Sequence, residues 1–203
     1  MSRHISKKTD VLDAALALFM KKGIKATTTR DIALRAGISE GTIYRHFESK
    51  DELAEVLFAD NLHYFSSFLK GYLKSSSKPA DMLQAFIEGF FEFSRREQRR
   101  YGFIVAAHQT ELKKHSREKM KPKEILTKII RLGQKKGIFR PMDIKLSASM
   151  IMGILMQTIF YLKNGRIAVN YDDVVAEVVE AGFRILTVDD IITQNKPLKE
   201  VKT

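Results

Sequence analysis

TTTRDIALRAGISEGTIYRHFESKDEL, residues 27–53, carries two short helical patterns around a single glycine. In the first, Ile32, Ala33 and Ala36 fall on one side, and Thr28 or Thr29 stands where an N-cap belongs. Gly37 supplies a left-handed turn residue, and Ser39 is placed to cap the second pattern. There Ile38, Ile43 and Phe47 share a side, which leaves Thr42, Tyr44, Arg45 and His46 for the faces that point outward. Ser49 then restarts the chain, with Glu52 as its capping-box partner. A helix that only sought a core would have no use for a tyrosine, an arginine and a histidine in a row on its wet side.

On either side of this stretch nearly every segment repeats at helical period. A first helix is expected over about 7–22, with Val11, Leu12, Ala15, Leu16 and Phe19 on one stripe and Gly23 at its C-cap. A long helix follows Ser49 to about Leu73, and further helices are expected at about 79–97, 99–115, 122–136, 143–163 and 171–187. Pro79 and Pro122 suit first turns, and Gly137 and Gly165 suit stops. With only 4 Pro and 11 Gly in 203 residues, and 44% hydrophobic residues to fill a core, the reading is all-α with about nine helices. Residues 1–53 are expected to form one domain and 54–203 a second, larger one.

Two short helices joined by a tight turn and braced by a third make a helix-turn-helix, whose second helix enters a DNA groove. Ala33 is small where the two helices cross, and Ile38 and Ile43 lock the pair onto the first helix. Arg45 can read guanine edges, and Thr42 and Tyr44 can reach phosphates or thymine methyls. His46 and Lys50 lie where a grip on the phosphate backbone would be. The net charge of +11 agrees with a polyanionic partner, but it is not concentrated here. Residues 1–53 hold ten Lys/Arg against seven Asp/Glu, whereas 95–140 hold fifteen against four. The case for DNA therefore rests on placement; the basic stretch at 95–140 is most simply a solvated surface.

The run A-x-x-A-G-I-S-x-G-T-I-Y-x-H-F-x-S-K, from Ala33 to Lys50, resembles the DNA-binding module of TetR/AcrR-family transcriptional regulators. The resemblance covers roughly residues 7–58 by motif and the remainder by helix count. It implies a base-reading helix over Ser39–His46 and phosphate contacts from Thr29, Thr42, Tyr44, His46 and Lys50. Glu40 and Arg45 fall at variable positions that would set operator preference, and Arg30 and Gly41 complete the DNA-facing set. It also implies a larger helical domain that binds a small inducer and dimerises through its last two helices.

The Phe-rich and Met-rich segment 54–188 is compatible with an adaptable apolar cavity. Leu62, Phe65, Phe90 and Phe103 are the candidate apolar lining, and His108 and Gln157 the candidate polar groups; a purely structural role for each stays open. The last two helices are apolar on more than one side, so one face of each is expected to meet a second copy of the chain. Met150, Gly153, Val175, Val179, Gly182 and Phe183 are the candidate dimer residues.

Enzyme readings find no support. There is no Gly-rich phosphate loop, no H-E-x-x-H and no nucleophile elbow. Cysteine is absent, and His108 and His115, seven apart, make a poor metal pair, so neither a metal nor a cofactor is expected. The amino-terminal segment is charged and then amphipathic, unlike a secretory signal. The longest apolar run, 150–162, contains Gln157 and falls short of the ~20 residues that span a bilayer. The expected partners are operator DNA, a small effector and a second copy of the chain, in the cytoplasm and without a membrane. The rival is a helix-turn-helix protein whose second domain only dimerises or binds a protein.

Overall fold

The computed structural model describes residues 2–74, 77–108 and 122–187, with side chains from Lys7 onward and without that of His108. Among these residues there are nine helices and no strand, so the all-α expectation holds. They are α1 (Ser2–Ala26), α2 (Thr29–Ala36), α3 (Glu40–Tyr44), α4 (Lys50–Leu73), α5 (Pro79–Arg96), α6 (Gln98–His108), α7 (Pro122–Lys135), α8 (Ile144–Lys163) and α9 (Tyr171–Leu186). Most ends agree with the periodicity to within one or two residues. Two differ. Gly23 (φ +82°, ψ 161°) kinks α1 without ending its run of helical bonds, and only glycine takes that backbone cheaply. Of the expected helix at 99–115, the part beyond His108 lies outside the described residues.

The described chain forms two compact units that do not follow chain order. Unit 1 comprises Met1–Phe68 and Glu92–Pro122, and unit 2 comprises Leu69–Phe91 and Lys123–Thr203. The divisions therefore fall inside α4, inside α5 and after the first residue of α7.

Unit 1 is built on α1, which packs against both α2 and α6. Val11, Ala14, Ala15, Leu16 and Phe19 are buried, while Leu12, expected on the same stripe, is half-buried. Phe19 stacks on Phe103 of α6 with ring centroids 6.1 Å apart. Lower down α4, Phe65 stacks face to face on Phe93 at 4.0 Å, and Phe68 meets the same ring edge-on at 5.4 Å. Beside this aromatic cluster lies a polar one. Asn61, fully buried, donates to the Leu57 carbonyl (2.7 Å) and accepts from Arg100 (3.0 Å). The Arg100 guanidinium also covers the Tyr64 ring at 4.5 Å and pairs with Glu97 at 3.4 Å.

Unit 2 has its core from Leu83, Phe86, Ile87, Ile129, Ile130, Ile151, Leu155 and Val178, all buried. Its turn between α7 and α8 is stitched to the end of α9, because Arg140 donates to the Leu186 carbonyl through its amide (2.7 Å) and to the Ile185 carbonyl through Nε (2.8 Å). Gly133 lets Phe139 fold back over α7: a β-carbon there would lie 1.9 Å from the phenyl ring. The Gly133 carbonyl accepts both the Ile138 and the Phe139 amides, which ends the helix. By length and composition alone α8 is long and apolar enough to cross a membrane, a test that the core helix of a soluble protein also passes. Its stripe of Ser147, Ala148, Ile151, Leu155 and Ile159 is nevertheless buried inside unit 2.

Candidate nucleic-acid interface

The residues around the α1 kink prepare the site. Thr27 is fully buried and donates its hydroxyl to the Gly23 carbonyl at 2.7 Å, which fixes the entry into α2. Thr28, not Thr29, is the N-cap: its hydroxyl accepts the Asp31 amide (3.1 Å), and the Asp31 carboxylate accepts the Thr28 amide (2.9 Å). Lys22 adds an ion pair to the same carboxylate at 2.7 Å. That donor, together with the Thr28 hydroxyl and amide, holds the Asp31 carboxyl far below the usual carboxylate range. Thr29 is thereby left free of capping duty.

Gly37 closes α2 in the left-handed conformation (φ +66°), with the Ile38 amide bonded to the Ala33 carbonyl at 3.0 Å. The turn then delivers α3, which is only five residues long. Ile43 and Phe47 are buried beneath it, as their spacing predicts, and Lys8 of α1 lies 5.7 Å over the Phe47 ring. Tyr44, at 54% exposure, and Arg45 stand in solvent. His46 is half-buried, and its amide bonds to the Ile43 carbonyl (2.9 Å), so the reading segment ends as a tight turn.

Thr42 departs from the outward placement read from the sequence. It is only 7% exposed, its hydroxyl pairs with Ser39 Oγ at 2.8 Å, and Arg45 Nη2 reaches it at 3.5 Å. The reason is the shortness of α3: in a helix of five residues, Thr42 is buried together with its neighbour Ile43. Ser39 likewise occupies the N-cap without a side-chain bond to the helix backbone, since its hydroxyl is taken by Thr42. The cap after it is also shifted. Ser49 Oγ accepts the Glu52 amide (3.1 Å), but the Glu52 carboxylate takes the amide of Glu48, not of Ser49.

Three of the sequence-selected residues come together at the outer edge. The Thr29 hydroxyl donates to Glu40 Oε1 and lies 3.3 Å from the Tyr44 phenol oxygen. Arg30 and Gly41 are exposed nearby in sequence. Lys50 turns another way: its ammonium donates to the Thr27 carbonyl at 2.8 Å and reaches the Lys25 carbonyl at 3.4 Å. The distance of 23 residues gave no sequence signal for that bond. The Thr28–Asp31 box, by contrast, has capping spacing that can be read directly.

The remaining candidates divide between the units. Leu62, Phe65 and Phe103 are buried in unit 1 and Phe90 is buried in unit 2. Gln157 is exposed on α8, and the His108 side chain lies outside the described residues, as does His115. On α8, Leu146 (49%), Met150 (43%), Gly153, Gln157 and Phe160 (50%) form one exposed stripe at helical spacing. Val175, Val179 and Phe183 are half-buried on α9. Gly182 faces inward, where an added β-carbon would lie 2.8 Å from Ile87 Cδ1, so its close approach is to α5 of the same chain. No group of three potential metal ligands occurs among the described residues.

Residues 11–57 match the model of bacterial regulatory proteins, tetR family. The HTH-type transcriptional repressor KstR2 of Mycobacterium tuberculosis is 36% identical over 87 residues, 43% of this chain and 44% of that protein. The chain thus aligns with less than half the length of that curated relative. Among solved structures, a tetR-family protein from Shewanella sp. PV-4 superposes with a TM-score of 0.78 at 20% identity, covering 90% of this chain and 99% of that one. FadR from Bacillus subtilis, solved in complex with stearoyl-CoA, gives 0.73 at 21%, covering 88% and 98%. At these identities the two structures share its fold.

Proposed function

Since the chain belongs to the TetR family of bacterial regulatory proteins, we propose that it is a dimeric, sequence-specific DNA-binding regulator, a repressor released from a palindromic operator by a small, largely apolar effector. The observation that supports this best is the α2–turn–α3 unit. Ile43 and Phe47 anchor it from below while Tyr44 and Arg45 project from it into solvent. In this reading Arg45 reads a base edge, while Thr29, Tyr44 and His46 hold phosphates. Lys50 contributes its remaining N–H to the same backbone. The exposed stripe of α8 meets its symmetry mate in a second copy, which sets two reading heads one helical turn apart, roughly 34–36 Å. Such a protein works in the cytoplasm, where its DNA is.

For the effector, the reading favours a long acyl chain presented as a thioester. The bound ligand of the structural relative FadR is stearoyl-CoA, and that relative shares the fold over 88% of this chain. The coupling runs through α4, which begins at Lys50 beside the α1–α2 junction and has its last turn in unit 2. Typical coupling free energies of about 1–3 kcal/mol would shift operator affinity by about 5- to 150-fold.

Duplexes selected by the protein from a random pool, followed by footprinting, test the first part; a two-fold-symmetric site is expected, and a single unpaired half-site refutes it. Arg45→Ala should then relax preference at one base position, costing about 1–3 kcal/mol there. Calorimetry with stearoyl-CoA, with and without that duplex, tests the second part. The ligand should bind more weakly to the DNA complex by the factor with which it weakens DNA binding. Equal affinities in both states would refute the coupling.

A further inference from the structure

The Thr29 hydroxyl and the Tyr44 phenol are two uncharged donors that the proposed phosphate grip needs, and in the free protein a third residue already engages the first of them. Glu40, the first residue of α3, accepts the Thr29 hydroxyl proton with Oε1, and the Tyr44 oxygen lies 3.3 Å from that same hydroxyl. Thr29 and Glu40 are both half-buried, so the bond is partly shielded from water. A carboxylate oxygen and a phosphate oxygen are alike to a hydroxyl donor: each is an anionic acceptor with a lone pair in reach. They cannot both occupy the spot, because two anions there repel.

We propose that Glu40 is a specificity-determining residue that acts through its charge, standing at the Thr29–Tyr44 pair as an internal substitute for a DNA phosphate. This rests on the reading of the chain as a DNA-binding regulator. Every duplex carries phosphates, so every duplex meets the carboxylate. On an unrelated sequence α3 does not seat fully, the carboxylate stays on Thr29, and the backbone contact is weakened. On the operator α3 enters the groove, and Glu40 leaves Thr29 for a base edge, where an acidic side chain can accept from the cytosine amino group. The charge therefore subtracts from non-specific binding while costing the operator little, which is discrimination by repulsion of the wrong partner. Such a device suits a chain whose net charge of +11 would otherwise hold it to any DNA.

The test uses the full chain and two duplexes of equal length: one selected by the wild type from a random pool, and a scrambled version. Wild-type protein that retains no duplex at all from the pool would sink the DNA-binding reading itself. Given wild-type binding, Glu40→Gln keeps an acceptor for Thr29 and removes only the charge. At low salt its affinity for the scrambled duplex should rise about three- to ten-fold, its affinity for the selected duplex should change by less, and the gain should shrink as salt is added. Glu40→Ala, which lacks any acceptor, should move the scrambled duplex in the same direction. Loss of affinity for both duplexes, or no change in either, would show that Glu40 only holds the local structure. Equal tightening of both would remove the claim to specificity, and weakening confined to the selected duplex would make Glu40 a plain base reader.

Discussion

The Lys50 ammonium donates to the carbonyl of Thr27 at 2.8 Å, joining the first residue of α4 to the junction of α1 and α2. That carbonyl and its neighbour at Lys25 emerge where α1 has run out of helix, so a cation there satisfies acceptors the backbone cannot. An ammonium has three N–H groups, so two such bonds leave one to reach a phosphate. Lys50→Ala should therefore lower unfolding stability by about 1 kcal/mol in urea titrations. It should also flatten the salt dependence of operator binding by about one unit of slope. Lost stability with an unchanged slope would confine Lys50 to the protein.

Asp31 makes part of the module sensitive to acid. Its carboxyl is held below its ordinary value of 3.8, first by the Lys22 bond and then by the hydroxyl and amide of Thr28. A carboxylate depressed in the folded state adds stability above its unfolded pKa, and that contribution is lost as pH falls toward the folded value. Urea midpoints of wild type and Asp31→Asn should thus differ by a constant amount from pH 7 to about pH 5, and the gap should narrow steadily as pH falls below about 4. A gap that does not narrow between pH 5 and pH 2 would assign the effect to something other than this charge.

Asn61 and Arg100 should behave as one unit. Asn61 is fully buried and spends its amide group on the Leu57 carbonyl, leaving its oxygen to Arg100. Tyr64 donates to Glu97 at 3.1 Å and keeps its proton above the normal phenol range, through loss of solvent and then through that carboxylate. Asn61→Ala should cost about 1–3 kcal/mol, because the guanidinium loses a buried acceptor. In a double-mutant cycle with Arg100→Ala the two losses should fall short of additivity by about 0.5 kcal/mol or more. Strict additivity would mean that the contact contributes nothing.

The α8 stripe can be tested without disturbing the core. Met150 is 43% exposed, so Met150→Lys places a charge in solvent in the single chain and in an apolar seam in a dimer. Sedimentation should show a shift from dimer to monomer at micromolar concentration, with helical circular dichroism unchanged and operator affinity lost. A dimer that survives this substitution would place the two-fold contact elsewhere.

Most of the fold could be read from the chain because its signals are local. Helical spacing at Val11, Ala15 and Phe19, a proline at each of two first turns and glycine at Gly37 each act within a few residues. The turn and the buried Ile43–Phe47 pair follow from the same rules. What the sequence did not show depends on partners far apart along it. Lys50 and Thr27 are 23 residues apart, and Arg100 and Asn61 are 39 apart, and no periodicity links such pairs. Thr42 misled for a different reason: outward placement assumes a helix long enough to define its faces, and α3 has only five residues. Gly182 satisfied the rule that small residues mark close helix contacts, but the rule does not say whether the neighbour belongs to the same chain.

Gly133 and Phe139 hold each other's identity by shape. A β-carbon at 133 would fall 1.9 Å from the ring, far inside the contact distance, and the ring has no slack because Phe139 is buried. Neither position can drift alone: a larger residue at 133 strands the ring, and a smaller one at 139 opens a void beside a bare helix face. In genetic language the two are reciprocal suppressors. Selection for revertants of a crippled Gly133→Ala strain should return small side chains at 139, so that the pair changes together or not at all.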